Sequence, residues 1–165
     1  MKFLKWAFLV PATIFIVIQF IRPERNASAP AAGTDVSGRL PIPEEVRQVL
    51  AITCFDCHSN NTRYPWYAEI QPVGWWLAGH IRDAKKELNF DEIGSYRPRR
   101  RFVKLRQIEE QIEQGDMPLP SYLIIHKDAI LSEEKKQTLI AWTRAMRDSL
   151  TAQYPSDSLQ SRRPR

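Results

Sequence analysis

Only two cysteines occur in the 165 residues, three positions apart, in Cys54-Phe55-Asp56-Cys57-His58. On a helix, positions i, i+3 and i+4 share one face, so one turn presents two thiols and an imidazole together. With no further cysteine, a disulfide framework and a complete four-cysteine zinc site are excluded. A disulfide across two residues would constrain little. A thioredoxin-like pair is expected beside a βαβ pattern, and none is visible. A zinc site would have to recruit two of His58, His80 and His126 without a familiar second-half spacing.

The spacing instead reads as a c-type haem attachment site. Two thiols reach two vinyl groups along one porphyrin edge, and His58 meets the iron as proximal axial ligand. One covalent haem c, with its iron, is therefore the expected cofactor. The second ring nitrogen of His58 should donate a hydrogen bond that fixes the tautomer; a carbonyl near Gln71-Pro72 is the expected acceptor.

An electron-transfer haem calls for a sixth ligand. Met146 lies on the apolar stripe of a helix, where packing explains it. Met117 sits in Gly115-Asp116-Met117-Pro118-Leu119-Pro120, a loop stiffened by two prolines, and ranks first. His80 shares a stripe with Leu77, Ile81 and Ala84 and ranks second; His126 ranks third. Trp66, Trp75 and Trp76 could wall a haem or pack in the core. Arg63 could pair with a propionate or stand exposed in its loop.

Phe3 to Ile21 is apolar apart from Lys5, Thr13 and Gln19. As a helix it reaches roughly 28 Å, close to the hydrocarbon thickness of a bilayer. Lys2 and Lys5 precede it, which keeps the N-terminus cytoplasmic, although Arg22 and Arg25 on the far side weaken the signal. Residues 1–22 are thus expected to be an uncleaved anchor, placing a single-pass protein in the inner membrane with its domain in the periplasm. Ala27-Ser28-Ala29 offers the rival reading of a cleaved signal peptide. Residues 23–40, rich in Ala, Pro, Ser and Gly, read as a flexible linker. Residues 41–150 read as the folded domain and 151–165 as a disordered basic tail.

Within the domain the periodicity is helical. Val46, Val49 and Leu50 form one face of a helix that opens after Pro43 and runs into the cysteine motif. Val73 to about Leu88 and Phe102 to Gln114 read as two more helices, the second stopped by Gly115. The segment from Asp116 to Leu131 reads as a proline-pinned loop. Ser132, with Glu133 and Glu134 behind it, caps a last helix carrying Leu139, Trp142, Met146 and Leu150. No two-residue alternation is sustained, so the domain is expected to be all-α. The net charge of +5 is concentrated in the N-terminal lysines, Arg99-Arg100-Arg101 and the C-terminal tail. No recognition motif accompanies it, and no nucleic-acid partner is expected.

The stretch from Cys54 to Tyr67 (CFDCHSNNTRYPWY) resembles the bacterial haem-binding domain family, a cytochrome c-like group common in Bacteroidota. Gln71 to Leu77, Gly115 to Leu119 and Leu131 to Lys135 carry the resemblance further, over about Pro41 to Leu150. It implies a small helical cytochrome c-like fold with one covalent haem. The order of attachment motif, Met-Pro loop and closing helix is also similar to class I cytochromes c and implies Met117 as the distal ligand. Electron transfer with redox partner proteins in or at the membrane is the expected function. The alternative is a haem-based enzyme or a gas or redox sensor with an open axial site.

Overall fold

The computed structural model describes residues 2–28 and 42–159. All regular elements among them are helical; the one β-bridge pairs Ala27 with Asn61. The all-α expectation holds.

The first helix, α1, is Lys2–Ile18. It is shorter than the apolar run because the chain turns at Gln19. The Gln19 side-chain amide donates to the carbonyl of Phe15 at 2.9 Å and to that of Gln71 at 3.1 Å. Among the described residues no helix is long and apolar enough to cross a membrane, so the expected transmembrane span is not supported. The side chains of Trp6, Phe8, Ile14 and Phe15 are at least half exposed.

Six helices build the main body: α2 is Glu44–Thr53, α3 Phe55–His58, α4 Val73–Glu87, α5 Pro98–Gln114, α6 Pro120–Leu123 and α7 Glu133–Gln153. Pro43 precedes α2, and Glu44 and Glu45 fill its first turn, where the helix dipole favours carboxylates. Ser132 caps α7 by accepting from the N–H of Lys135 at 3.3 Å. Gly115 ends α5 with φ of 75°, a conformation glycine adopts without strain. The N–H groups of Asp116 and Met117 then fold back onto the carbonyl of Gln111 at 3.1 and 3.3 Å, and this reversal delivers Met117 to the body of the protein.

The core lies where α5 and α7 pack, with α2 against α7. Leu50, Leu105 and Leu139 are fully enclosed, with Ile108, Ile112, Trp142 and Leu150 around them. Each such side chain contributes about 1.5–3 kcal/mol by leaving water. The connection from Leu88 to Tyr96 adds Phe90, Ile93 and Tyr96 to this core. Glu109 joins α5 to α7 by accepting from Arg144 at 2.6 Å and Arg147 at 2.7 Å.

Two expected unstructured segments are ordered where described. Residues 23–28, read as the start of a linker, are bonded along the domain. Asn26 donates to the Ser59 carbonyl at 2.8 Å and to Thr62 Oγ1 at 2.9 Å, and Lys85 reaches its side-chain oxygen at 2.5 Å. The remaining linker, residues 29–40, lies outside the described residues. At the other end, α7 continues to Gln153 and a short α8, Ser156–Leu159, follows. Leu159, 2% exposed, inserts into the core, so apolar burial overrides the polar composition there. Residues 160–165 of the expected tail also lie outside the described residues.

Candidate functional site

Cys54 stands at the break between α2 and α3. Its N–H still donates to Leu50 at 2.8 Å, while its carbonyl accepts from Cys57 at 3.2 Å and His58 at 2.9 Å. The motif is therefore one separate helical turn, broken from α2 at Cys54. Desolvation pushes both thiols up to about 11, and at Cys57 the Asp56 carboxylate adds to the effect. Such surroundings favour the neutral thiol, the opposite of what makes a dithiol pair nucleophilic.

His58 is fixed from both ends by a segment 30 residues away. Its Nδ1 lies 2.9 Å from the carbonyl of Leu88, and its own carbonyl accepts from the N–H of Phe90 at 2.8 Å. A carbonyl can only accept, so the proton sits on Nδ1 and the lone pair on Nε2. Burial lowers the imidazole pKa below its ordinary value, against smaller opposing contributions from the Leu88 and Ala84 carbonyls. A neutral ring with a free Nε2 is what metal ligation requires. The acceptor is thus Leu88 rather than a carbonyl near Gln71, whose own carbonyl accepts from the Gln19 amide at 3.1 Å.

His58 opens onto a cavity of about 350 Å³ shared by Cys54, Phe90, Ile108, Met117 and Pro118. Lys104, Gln107, Glu110 and Gln111 of α5 and Glu87 of α4 give it a polar side. Thiol, imidazole and thioether thus converge on one largely apolar space, a donor set suited to haem iron and to one vinyl group. Cys57 lines a second cavity of about 240 Å³ together with Tyr67, Trp76, His80, Leu119 and Tyr122. The loop 117–119 borders both spaces.

The remaining candidates are placed differently. His80 lies in the second cavity, apart from His58; its Nδ1 is 3.0 Å from the Trp76 carbonyl and its ring packs on the Trp76 indole. His126 is committed: its Nε2 is 2.8 Å from the Tyr67 hydroxyl, and its ring stacks on Tyr122 with centroids 4.0 Å apart. Trp66 is 71% exposed and borders neither cavity. Trp75 donates its indole N–H to the Ile21 carbonyl at 2.7 Å.

Arg63 turns away from the cavities. It donates from Nε to Asp56 at 3.1 Å and from Nη2 to the Ala51 carbonyl at 2.8 Å. Asp56, buried within the motif, also accepts from the Tyr122 hydroxyl at 3.0 Å. The hydrogen bond to Asp56 raises the Arg63 pKa further, and burial, helped by the Asp56 charge, raises that of Tyr122. Arg63 and Tyr122 therefore brace the motif from behind.

Sequence reading missed Lys104, Leu88 and Tyr122. The carbonyl of Leu88 leaves no trace in its side chain. Lys104 hid among the many basic residues of α5, although it lies one position before Leu105, on the edge of the buried stripe. Among the described residues, no group of three His, Cys, Asp or Glu side chains is gathered to hold a metal ion.

An all-helical domain whose CxxCH turn sets Cys54 and His58 on one cavity with Met117, and Cys57 on the neighbouring one, carries the donors of a haem-binding class of protein. Residues 13–145 match the family model described as haem-binding domain. That is most of the chain, which belongs to this family and binds haem. No curated protein and no solved structure matches it.

Proposed function

We propose that the chain is a monohaem c-type cytochrome that transfers electrons in the periplasm, held at the inner membrane by α1. The observation that carries this reading is the shared cavity of His58 and Met117, with Nε2 of His58 left free by the bond from Nδ1 to Leu88. Cys54 and Cys57 would hold the haem through thioethers, His58 would be the proximal ligand and Met117 the distal one. Bound haem supplies a one-electron ferric–ferrous couple, tuned by the axial pair and the charges around it. The protein's part is to orient His58 through the Leu88 carbonyl, to exclude water with Phe90, Ile108 and Pro118, and to deliver Met117 on the loop after Gly115. Lys104, whose side chain is 15% exposed, meets Glu87 at 3.1 Å and is the cation suited to a haem propionate. That role falls to Lys104 rather than Arg63. The partners would be redox proteins in or at the membrane.

The test is the full chain produced in a host able to attach haem c. Expected are a mass increase of one haem that survives denaturation and a low-spin spectrum, lost in Met117→Ala. A bare apoprotein mass overturns covalent attachment. A high-spin, ligand-binding haem in the unaltered chain would instead support an enzyme or a gas sensor, and an unchanged spectrum in Met117→Ala overturns the distal assignment.

A further inference from the structure

Beyond α1, a second apolar surface stands open on the domain. Trp66, Ile70, Val73, Trp76, Ile124 and Ile125 are all substantially exposed. Val73, Trp76 and Ile125 border the rim of the cavity that Cys57 lines, Trp66 packs edge-on against Tyr67, which borders it too, and Ile70 and Ile124 adjoin them along the chain, Ile70 accepting from the N–H of Gly74 beside Val73. Contiguous exposed apolar surface of this kind marks a contact face rather than ordinary solvated surface.

The area begins where α1 ends. Gln19 and Gln71 exchange two hydrogen bonds, the backbone N–H of Gln71 to Gln19 at 2.9 Å and the Gln19 amide to the Gln71 carbonyl at 3.1 Å. Gln71 is itself 1% exposed. Trp75 bonds the Ile21 carbonyl, and Arg22 and Arg25 both pair with Glu69. These five contacts fix residues 66–76 against the end of the apolar helix, so any surface that receives α1 meets this area at the same depth. Tryptophan, with an apolar body and a polar N–H, favours the headgroup region of a bilayer. Arg22 and Arg25 are about half exposed beside it and suit lipid phosphates.

We propose that the face formed by Trp66, Ile70, Val73, Trp76, Ile124 and Ile125 rests on the phospholipid surface, seating the haem domain directly on the bilayer. This rests on the reading that α1 enters the membrane, and the experiment separates the two. The full chain is placed in nanodiscs of phosphatidylethanolamine and phosphatidylglycerol containing a diazirine-bearing phospholipid, irradiated, and its lipid adducts mapped by mass spectrometry. Expected are adducts within α1 and also within 66–76 and 121–125, with none on α7, and a several-fold loss of the 66–76 adducts in the Trp66→Ser, Trp76→Ser double variant. Adducts confined to α1 overturn the seating while leaving the anchor intact. Adducts in none of these segments overturn both. A dimer that shields 66–76 from lipid assigns the face to a second copy of the chain and also overturns the proposal.

Discussion

Glu109→Ala is expected to destabilise the protein by about 2–4 kcal/mol. Its carboxylate, only 10% exposed, receives Arg147, 24% exposed, at 2.7 Å, and Arg144, 55% exposed, on its other oxygen. Removing one partner of a buried ion pair costs about 3–5 kcal/mol, because the other charge stays buried and unpaired. Arg147 fits that description, and its Nε already lacks a hydrogen-bond partner. Arg144 is open to water and keeps Glu113 at 3.3 Å, so its share is about 0.5 kcal/mol. Relaxation of Arg147 toward solvent lowers the total below the upper limit. For a domain of this size the midpoint should fall by about 10 °C. Glu113→Ala, which removes an exposed partner of the same arginine, should cost less than about 0.5 kcal/mol. Chemical denaturation of both variants followed by far-ultraviolet circular dichroism measures the difference. Equal losses in the two, or a loss under about 1 kcal/mol in Glu109→Ala, would refute the idea that a buried carboxylate ties α5 to α7.

Gly115→Ala should cost about 1–2 kcal/mol, since φ of 75° is strained for any residue with a Cβ; thermal unfolding reads this directly. The carboxyl of Glu69 is held below its ordinary value by hydrogen bonds from Arg25 and Arg22. Its pairs are therefore complete above the unfolded pKa near 4.5 and are lost as pH falls through the lower folded value. Hydrogen exchange at residues 22–28 should accelerate in acid beyond the intrinsic rate, and Glu69→Gln should show the faster exchange already at neutral pH. Lys104→Gln should lower the haem reduction potential in a potentiometric titration while leaving haem content unchanged, because a nearby cation favours the ferrous state.

Much of this architecture was legible in the sequence. The stripes Leu105-Ile108-Ile112 and Leu139-Trp142-Leu150 pack as their spacing requires, and Ser132 and Gly115 act as the caps their chemistry suggests. What was missed depends on partners far along the chain. Asn26 and Gln19 look like ordinary polar residues until Ser59, Thr62 and Gln71 come beside them. Phe90, Ile93 and Tyr96 enter the core from an irregular connection, so no period announces them. Arg63 offered two roles by composition, and the Asp56 carboxylate selects a third. Met117 and His58 share a cavity although 59 positions separate them; the helix stop at Gly115 and the prolines at 118 and 120 were the local signs that the chain turns back there.

The bonding of His58 to Leu88 and Phe90 has a consequence for how the protein tolerates change. Both contacts are made by main chain on the far side. Any apolar residue that fills the same buried space at those two positions still presents the same carbonyl and the same N–H, so the ring stays aimed while the side chains exchange within the core. Lengthening or shortening the connection between α4 and α5 is what would rotate the imidazole, and natural variation at this site should be rich in exchanges and poor in gaps.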